Sequence, residues 1–302
     1  MKILRTPDER FLNLPDYPFK EHFCDIDDTE GGKLRVHYVD EGNAGSDPIL
    51  LMHGEPSWSY LYRKMIPILS KGGFRVIAPD LVGFGKSDKP SDRNDYSYRR
   101  HVDWMADLLF NNLNLERITL FCQDWGGLVG LRLVANSPDR FSRIVAANTG
   151  LPTGDQPMTD AFKMWRDFSQ QAPELPIGKI ISGGCTSKLA PETIAAYDAP
   201  FPDETFKEGA RIFPALVPSS PEDPAHDDQI KAWEVFYKWD KPFMTAFSDG
   251  DPITRGGHTV FQNLVPGAKN VEHRTVNEAG HFLQEDKGDE VAQIILNFIS
   301  NN

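Results

Sequence analysis

The sequence has few cysteines and no long apolar run. Its 302 residues include only three cysteines, Cys24, Cys122 and Cys185, which lie far apart and form no Cys-x-x-Cys pair. This argues against a disulfide framework or a zinc site and is typical of a reducing compartment. No stretch approaches the length of a membrane span, and the first residues lack the apolar core of a secretory signal. We therefore expect a cytoplasmic protein without a metal and without a membrane partner.

Basic residues are also in the minority. The chain has 44 acidic and 32 basic residues and a net charge of −12. That balance argues against nucleic acid or an anionic membrane as a partner, and a well-solvated surface is the simplest explanation for it. The hydrophobic content of 40% and the charged content of 25% are ordinary for a globular protein. The length suits one large α/β domain or a core with an inserted subdomain.

Short apolar runs recur through the first half of the chain and again near its end. Such runs are typical of buried parallel strands, and they fall at 49–52, 74–78, 118–122, 144–147 and 243–247. Segments with helical spacing lie between or after them, at 60–69, 97–113, 128–135, 259–264 and 291–299. A half-buried strand is predicted at 33–40 and a further strand at 271–276. The alternation predicts a mostly parallel central sheet flanked by helices.

The alternation stops between Leu151 and Ile230. This segment is rich in proline and acidic residues and has short helical patterns but no convincing strand. We predict an α/β core formed by residues 1–150 and 231–302, with residues 151–230 inserted as a helical cap. Ligands of such sheets bind at the carboxyl ends of the strands, which places the site beneath the cap.

The most informative motif follows the apolar run 118–122. Asp124 comes directly after it, and Trp125-Gly126-Gly127 leads into the helical segment 128–135. A catalytic side chain on a sharp turn between a strand and a helix, with small neighbours, is a nucleophile elbow. The usual residue there is Ser, and here it is Asp124. A helix cap is the simplest alternative role for this aspartate.

Two further polar residues follow later strands. Asp251 comes after the run 243–247, and His281 comes after the predicted strand 271–276. The order nucleophile, acid, histidine is that of the α/β-hydrolase fold, so we expect Asp124, Asp251 and His281 to meet at one edge of the sheet. Asp249 competes with Asp251 as the acid, and an incidental loop role is the alternative for His281.

The chemistry of Asp124 differs from that of a serine. A carboxylate is ionised at neutral pH and needs no base to activate it. It can displace a leaving group from an sp³ carbon and form an alkyl ester, which water activated by His281 would hydrolyse. The oxyanion of that step needs N–H donors, and the backbone amides of Trp125 and Glu55 are predicted to supply them.

Five segments carry a resemblance to a known family. They are His53-Gly-Glu-Pro-Ser-Trp-Ser-Tyr60, Pro79-Asp-Leu-Val-Gly-Phe-Gly-Lys-Ser-Asp88, Gln123-Asp-Trp-Gly-Gly127, Ala199-Pro-Phe-Pro-Asp203 and Gly280-His-Phe282. Together they resemble the haloalkane dehalogenases over nearly the whole chain. The resemblance implies hydrolysis of a small halogenated alkane to a primary alcohol and halide through a covalent ester on Asp124. It implies no cofactor, and we expect a monomer.

Within that family, the chain is most similar to the subgroup with an Asp-His-Asp triad and two halide-binding tryptophans. Asn148 stands where another subgroup has a glutamate acid, which leaves Asp251 as the acid. Glu55 stands where that subgroup has a halide-binding asparagine, and as a carboxylate it would repel halide. The resemblance therefore implies that Trp125 and Trp165 bind the halide, since indole N–H groups donate without acting as nucleophiles.

The substrate pocket is also assigned from the resemblance. The matching positions are Phe162, Phe213, Pro214 and Leu128, where Leu128 replaces a phenylalanine of the best-known relative. Trp165 lies in an aromatic stripe whose helical spacing alone indicates a position in the core. If Trp165 has that role, Trp233 and Trp239 are the alternative halide ligands. Glu55 is also a candidate for holding the hydrolytic water, and His53 for bracing its loop.

Other functions share parts of this pattern. An epoxide hydrolase uses the same nucleophile but needs an acid, usually a pair of cap tyrosines, for which the sequence offers Tyr197 and Tyr237. A fluoroacetate-type dehalogenase needs an arginine where Trp125 stands. A ligand-binding protein without turnover, or a luciferase-like monooxygenase on this scaffold, is disfavoured by the intact Asp124, Asp251 and His281.

Overall fold

An eight-stranded sheet runs through the centre of the computed structural model, which describes residues 1–302. The strands in chain order are β1 Ile3–Leu4, β2 His22–Asp27, β3 Lys33–Gly42, β4 Pro48–Met52, β5 Arg75–Pro79, β6 Lys89–Pro90, β7 Ile118–Gln123, β8 Phe141–Ala147, β9 Phe243–Ser248 and β10 Arg274–Val276. The central sheet has the order β10-β9-β8-β7-β4-β5-β3-β2, and β1 pairs with β6 separately. The pairs β2–β3 and β3–β5 are antiparallel and the other pairs of the central sheet are parallel.

The middle of the sheet is apolar because both of its faces are covered. Every residue of β4 and of β7 is buried, as expected for central parallel strands. The predicted mostly parallel sheet is confirmed. The predicted strand at 271–276 is shortened to β10, Arg274–Val276. The antiparallel β2 was not predicted, and it lies at the sheet edge with alternating exposure.

Ten helices surround the sheet or lie above its carboxyl edge. They are α1 Ile66–Lys71, α2 Tyr98–Ala106, α3 Trp125–Asn136, α4 Asp160–Gln171, α5 Ile177–Gly183, α6 Pro191–Asp198, α7 Glu208–Ile212, α8 His226–Phe236, α9 Gly257–Leu264 and α10 Leu283–Asn301. The helix predicted at 60–69 is wrong, since a 3-10 turn at Ser59–Tyr62 precedes the short α1. The last helix begins eight residues before the predicted 291 and has a kink at Lys287.

The segment between β8 and β9 contains α4 to α8 and no strand. The predicted boundary between residues 230 and 231 falls inside α8, His226–Phe236. The division into a core and a cap itself stays a prediction. No helix is both long enough and apolar enough to span a membrane.

Candidate active site

Asp124 occupies a strained turn between β7 and α3. Its backbone has φ 52° and ψ −126°, a region that residues other than glycine rarely adopt. The turn is held by the Asp124 amide, which donates to Asn148 O at 3.0 Å. Gly126 is required next to it, since a Cβ there would lie 1.9 Å from Met52 O. The sequence therefore forms the sharp elbow that its glycines predicted.

The loop after β4 approaches the Asp124 side chain closely. A Cβ on Gly54 would lie 2.4 Å from Asp124 Cβ, so only glycine fits at that position. The next residue, Glu55, donates its backbone amide to Asp124 Oδ1 at 2.7 Å. Trp125 is the first residue of α3, where backbone N–H groups have no partner within the helix. The predicted oxyanion donors thus lie on the two segments that flank the nucleophile.

His281 lies between two carboxylates. Its Nε2 is 3.5 Å from Asp124 Oδ2, and its Nδ1 is 3.1 Å from Asp251 Oδ2. Asp251 is buried and also accepts from the Ile253 amide at 2.9 Å. Asp249, the competing acid, is exposed and accepts from the Ala279 amide at 3.3 Å. The structure therefore brings Asp251 and not Asp249 to the histidine.

The two carboxylates change the protonation of the histidine. Burial lowers the pKa of His281, but Asp251 and then Asp124 outweigh it and raise the pKa to about 10. Burial likewise opposes ionisation of Asp251, but His281 and the hydrogen bond from Thr254 lower the pKa of this carboxyl to about 2. The carboxylate of Asp251 therefore favours the protonated form of His281 and is itself favoured in the ionised form.

Two residues that were not predicted as part of the site hold the histidine loop. Gln123 Nε2 lies 3.0 Å from His281 Nε2 and 3.2 Å from its carbonyl oxygen. Asn148 donates to Gly280 O at 3.1 Å and to His281 O at 3.0 Å. Both side chains are fully buried. Gln123 stood inside the elbow motif and Asn148 directly after β8, but only the fold shows that both reach His281.

A cavity of about 1090 Å³ opens above Asp124. Its lining includes Glu55, Asp124, Trp125, Trp165 and His281, together with the predicted pocket residues Phe162, Leu128 and Pro214. Phe213 does not line it, which corrects the predicted pocket. This side chain is fully buried and stacks on the Trp125 ring, with centroids 4.4 Å apart and planes 11° apart. Phe213 therefore supports the indole from behind.

The tryptophans differ in the partners of their N–H groups. Trp165, on α4, lines the cavity. Trp233 also lines it, but its indole N–H donates to Leu151 O at 2.8 Å. Trp239 is buried away from the cavity against Phe236. The indole of Trp233 is therefore committed to the backbone, whereas Trp165 makes a hydrogen bond to the Glu55 side chain inside the cavity. Trp125 and Trp165 remain the candidate pair.

The surroundings of Glu55 disfavour the negative charge expected of it. Its side chain is 4% exposed, and its Oε1 is buried without a hydrogen-bond partner. Burial and then the Asp124 carboxylate raise the pKa of Glu55 well above its ordinary value. Burial next to another carboxylate therefore favours the neutral acid over the carboxylate expected from the sequence.

The remaining candidates have structural partners. The Tyr197 hydroxyl is buried and donates to Glu285 Oε2 at 2.6 Å, away from the cavity. Tyr237 lies at the cavity rim and is 52% exposed. Only Tyr237 of the two therefore lines the cavity with Asp124. His53 is buried and its Nε2 accepts from the Leu81 amide at 2.9 Å, so it braces its loop as expected.

The chain is similar to known proteins over its whole length. Residues 47–288 match the model of the alpha/beta hydrolase fold family. A haloalkane dehalogenase from Psychrobacter cryohalolentis is 58% identical over all 302 residues, and the match covers 99% of that protein. A haloalkane dehalogenase from Mycolicibacterium paratuberculosis is 51% identical, with 99% of this chain and 98% of the relative covered.

A solved structure extends the similarity to three dimensions. The tetrameric haloalkane dehalogenase from Paraglaciecola agarilytica superposes with a TM-score of 0.91 at 36% identity, and the match covers 98% of each chain. The fold and the elbow thus define an α/β hydrolase. Within that class, the chain belongs to the haloalkane dehalogenase family.

Proposed function

We propose that Asp124, His281 and Asp251 carry out the hydrolytic dehalogenation of haloalkanes that membership of this family assigns to the chain. The observation that carries the proposal is the position of Asp124. One of its carboxylate oxygens accepts from the Glu55 amide, and the other lies 3.5 Å from His281 Nε2. Oδ2 is therefore the nucleophilic oxygen, while Oδ1 stays with its amide donor.

In the first step, Asp124 Oδ2 attacks the carbon that bears the halogen. The C–O bond of the ester forms as the carbon–halogen bond breaks, and the halide leaves with the bonding electrons. The indole N–H groups of Trp125 and Trp165 stabilise the halide inside the cavity, where few waters compete. The stacked Phe213 keeps the Trp125 ring in place.

In the second step, His281 removes a proton from water and the hydroxide adds to the ester carbonyl carbon. Esterification removes the negative charge of Asp124, one of the two charges that raise the pKa of His281. Esterification therefore lowers the pKa of His281, and the imidazolium releases its proton to solvent more readily. The neutral imidazole that acts as the base is thus formed after the first step. The amides of Glu55 and Trp125 stabilise the tetrahedral oxyanion, and Asp251 orients the imidazole. Collapse of the oxyanion breaks the bond between the carbonyl carbon and the alkoxy oxygen, the alcohol leaves with the proton from His281, and the regenerated Asp124 carboxyl loses its proton to solvent.

Halide release tests the proposed function. Purified enzyme is incubated with 1,2-dibromoethane or 1-bromobutane, and bromide is measured over many turnovers. We expect continuous release by the wild type and none above background by Asp124→Ala, with styrene oxide as a control substrate. Absence of bromide from either bromoalkane, alongside diol from the epoxide, would overturn the proposal.

We further propose that the enzyme is a monomer of the cytoplasm, with an α/β core and a helical cap. The three cysteines are free thiols, which supports a reducing compartment. The related enzyme from Paraglaciecola agarilytica is described as tetrameric, so assembly differs between relatives if this proposal holds. Light scattering after size-exclusion chromatography gives the mass of the particle in solution. A mass of two or more chains of 34.0 kDa would contradict the monomer.

A further inference from the structure

Glu55 brings a carboxyl group into the cavity that the two-step mechanism does not use. Its backbone amide is fixed to Asp124 Oδ1, so the side chain begins directly beside the nucleophile. The side chain lines the same cavity as Asp124 and Trp165. It is 4% exposed, and Oε1 has no protein partner. A polar atom that is buried at a ligand cavity and has no protein partner is available to bond a ligand.

The surroundings of this carboxyl favour its protonated form. An ionised carboxylate with one oxygen buried and unpaired, next to a second carboxylate, loses most of its solvation. Burial and Asp124 raise the pKa of Glu55, while His281 and a hydrogen bond from the Trp165 side chain oppose the rise without reversing it. Glu55 is therefore a carboxylic acid with one O–H to donate.

A transferable proton matters for some leaving groups and not for others. Halide leaves as a stable anion, and indole N–H groups stabilise it by donating hydrogen bonds only. The oxygen of an opening epoxide becomes an alkoxide, which needs a proton from a positioned acid. Tyr197 is bonded to Glu285 outside the cavity, and Tyr237 is 52% exposed, so the buried pair of tyrosines used for this step elsewhere is missing. Glu55 is an acid that lies beside Asp124.

We propose that the enzyme also hydrolyses small epoxides with one unsubstituted ring carbon, with Asp124 as nucleophile and Glu55 as the acid that protonates the ring oxygen. The proposal rests on the proposed role of Asp124 in dehalogenation. The apolar part of the cavity wall, which includes Phe162 and Leu128, suits an alkyl or aryl substituent on the second carbon.

The bonds and protons balance without a cofactor. Asp124 Oδ2 forms an ester bond to the unsubstituted ring carbon, the ring C–O bond breaks, and its oxygen takes the Glu55 proton. The product is a hydroxyalkyl ester on Asp124 and an ionised Glu55. Water activated by His281 then hydrolyses the ester, the departing alkoxide takes the proton from His281, and the regenerated carboxyl of Asp124 returns a proton to Glu55 through solvent. The net reaction is epoxide plus water to diol.

Covalent trapping separates ring opening from hydrolysis. In His281→Ala the ester should persist, so intact-protein mass spectrometry reports the first step alone. With 1-bromobutane the mass rises by a butyl group in place of a proton, and with styrene oxide by the whole epoxide. Adding Glu55→Gln removes the acid and keeps the size of the side chain. We expect this change to slow epoxide trapping about 100-fold more than bromobutane trapping, as for loss of a general acid.

The outcomes distinguish this proposal from the proposed function. A butyl adduct without an epoxide adduct, or an equal slowing of both reactions by Glu55→Gln, overturns ring opening by Glu55. Absence of both adducts overturns it together with the role of Asp124. An epoxide adduct that depends on Glu55, without a butyl adduct, supports ring opening and contradicts only the dehalogenation mechanism.

A second measurement needs no substitution at Glu55. In His281→Ala, a proton moves during epoxide trapping but none moves during bromobutane trapping. Epoxide trapping should therefore be slower in D₂O than in H₂O, while bromobutane trapping proceeds at the same rate in both solvents. Equal rates of epoxide trapping in the two solvents overturn the proposal.

Discussion

Replacing Asp251 by Asn tests the arrangement around His281 most specifically. The change removes a buried negative charge 3.1 Å from His281 Nδ1 and nearly preserves the size of the side chain. The pKa of Asp251 is lowered from 3.8 to about 2, which corresponds to about 2 kcal/mol of interaction in the folded protein. Asp251→Asn should lose that interaction and lower the pKa of His281, since Asp251 is the larger of the two charges that raise it.

The two chemical steps should respond differently to this change. Attack by Asp124 needs no base, so a first equivalent of bromide should still be released. Hydrolysis of the ester needs an oriented imidazole with its proton on Nδ1, and an asparagine amide facing that nitrogen disturbs both. We expect steady-state turnover to fall by about 10²- to 10⁴-fold. Rapid-quench measurement of bromide should show a burst of one equivalent per enzyme followed by slow release.

Asp249→Asn is the matched control, because it removes the same charge two residues away. Asp249 is exposed and contacts the Ala279 amide instead of His281. Asp249→Asn should show no burst of bromide release, and its steady-state turnover should be close to that of the wild type. Continuous turnover by Asp251→Asn at the rate of Asp249→Asn, without a burst, would refute this account of the acid.

Three other predictions follow from the same geometry. The raised pKa of His281 contributes stability that is complete below about pH 6.5 and lost as pH rises through about 10. The melting temperature of the wild type should therefore fall relative to that of His281→Ala between pH 7 and 10. A constant difference between the two melting temperatures would contradict this. Gly126→Ala places a Cβ 1.9 Å from a carbonyl oxygen and should cost about 1–3 kcal/mol in chemical denaturation, whereas Gly183→Ala, with nothing within 4 Å, should not destabilise. Trp165→Phe should weaken bromide quenching of fluorescence about ten-fold or more, whereas Trp233→Phe should not, because that N–H is bonded to the backbone; equal weakening would exclude Trp165 as the halide donor.

Local patterns were sufficient for the centre of the fold. Apolar runs predicted β4 and β7 because strands covered on both faces leave no place for polar residues. The glycines that follow Asp124 predicted the elbow, because neighbouring segments approach so closely there that a Cβ on either glycine would clash. The edge strand β2 escaped prediction because it needs apolar residues on one face only and is mixed with acidic residues.

Other features depend on contacts between distant segments. Asp249 and Asp251 share one loop, and only the position of His281 distinguishes them. Phe213 matched a pocket position, but the placement of Trp125 puts it behind the indole. The raised pKa of Glu55 arises from burial next to Asp124, 69 residues away along the chain, which composition cannot reveal.

The destination of the oxygen from water tests the central claim most directly. The wild type is allowed one turnover of 1-bromobutane in H₂¹⁸O with enzyme in excess, and both the butanol and the proteolytic peptide containing Asp124 are analysed by mass spectrometry. Attack of water on the ester carbonyl predicts butanol that carries the unlabelled oxygen of Asp124, and ¹⁸O in the Asp124 carboxylate. Labelled butanol with an unlabelled Asp124 peptide would mean that water displaces the halide directly, and would contradict the covalent mechanism.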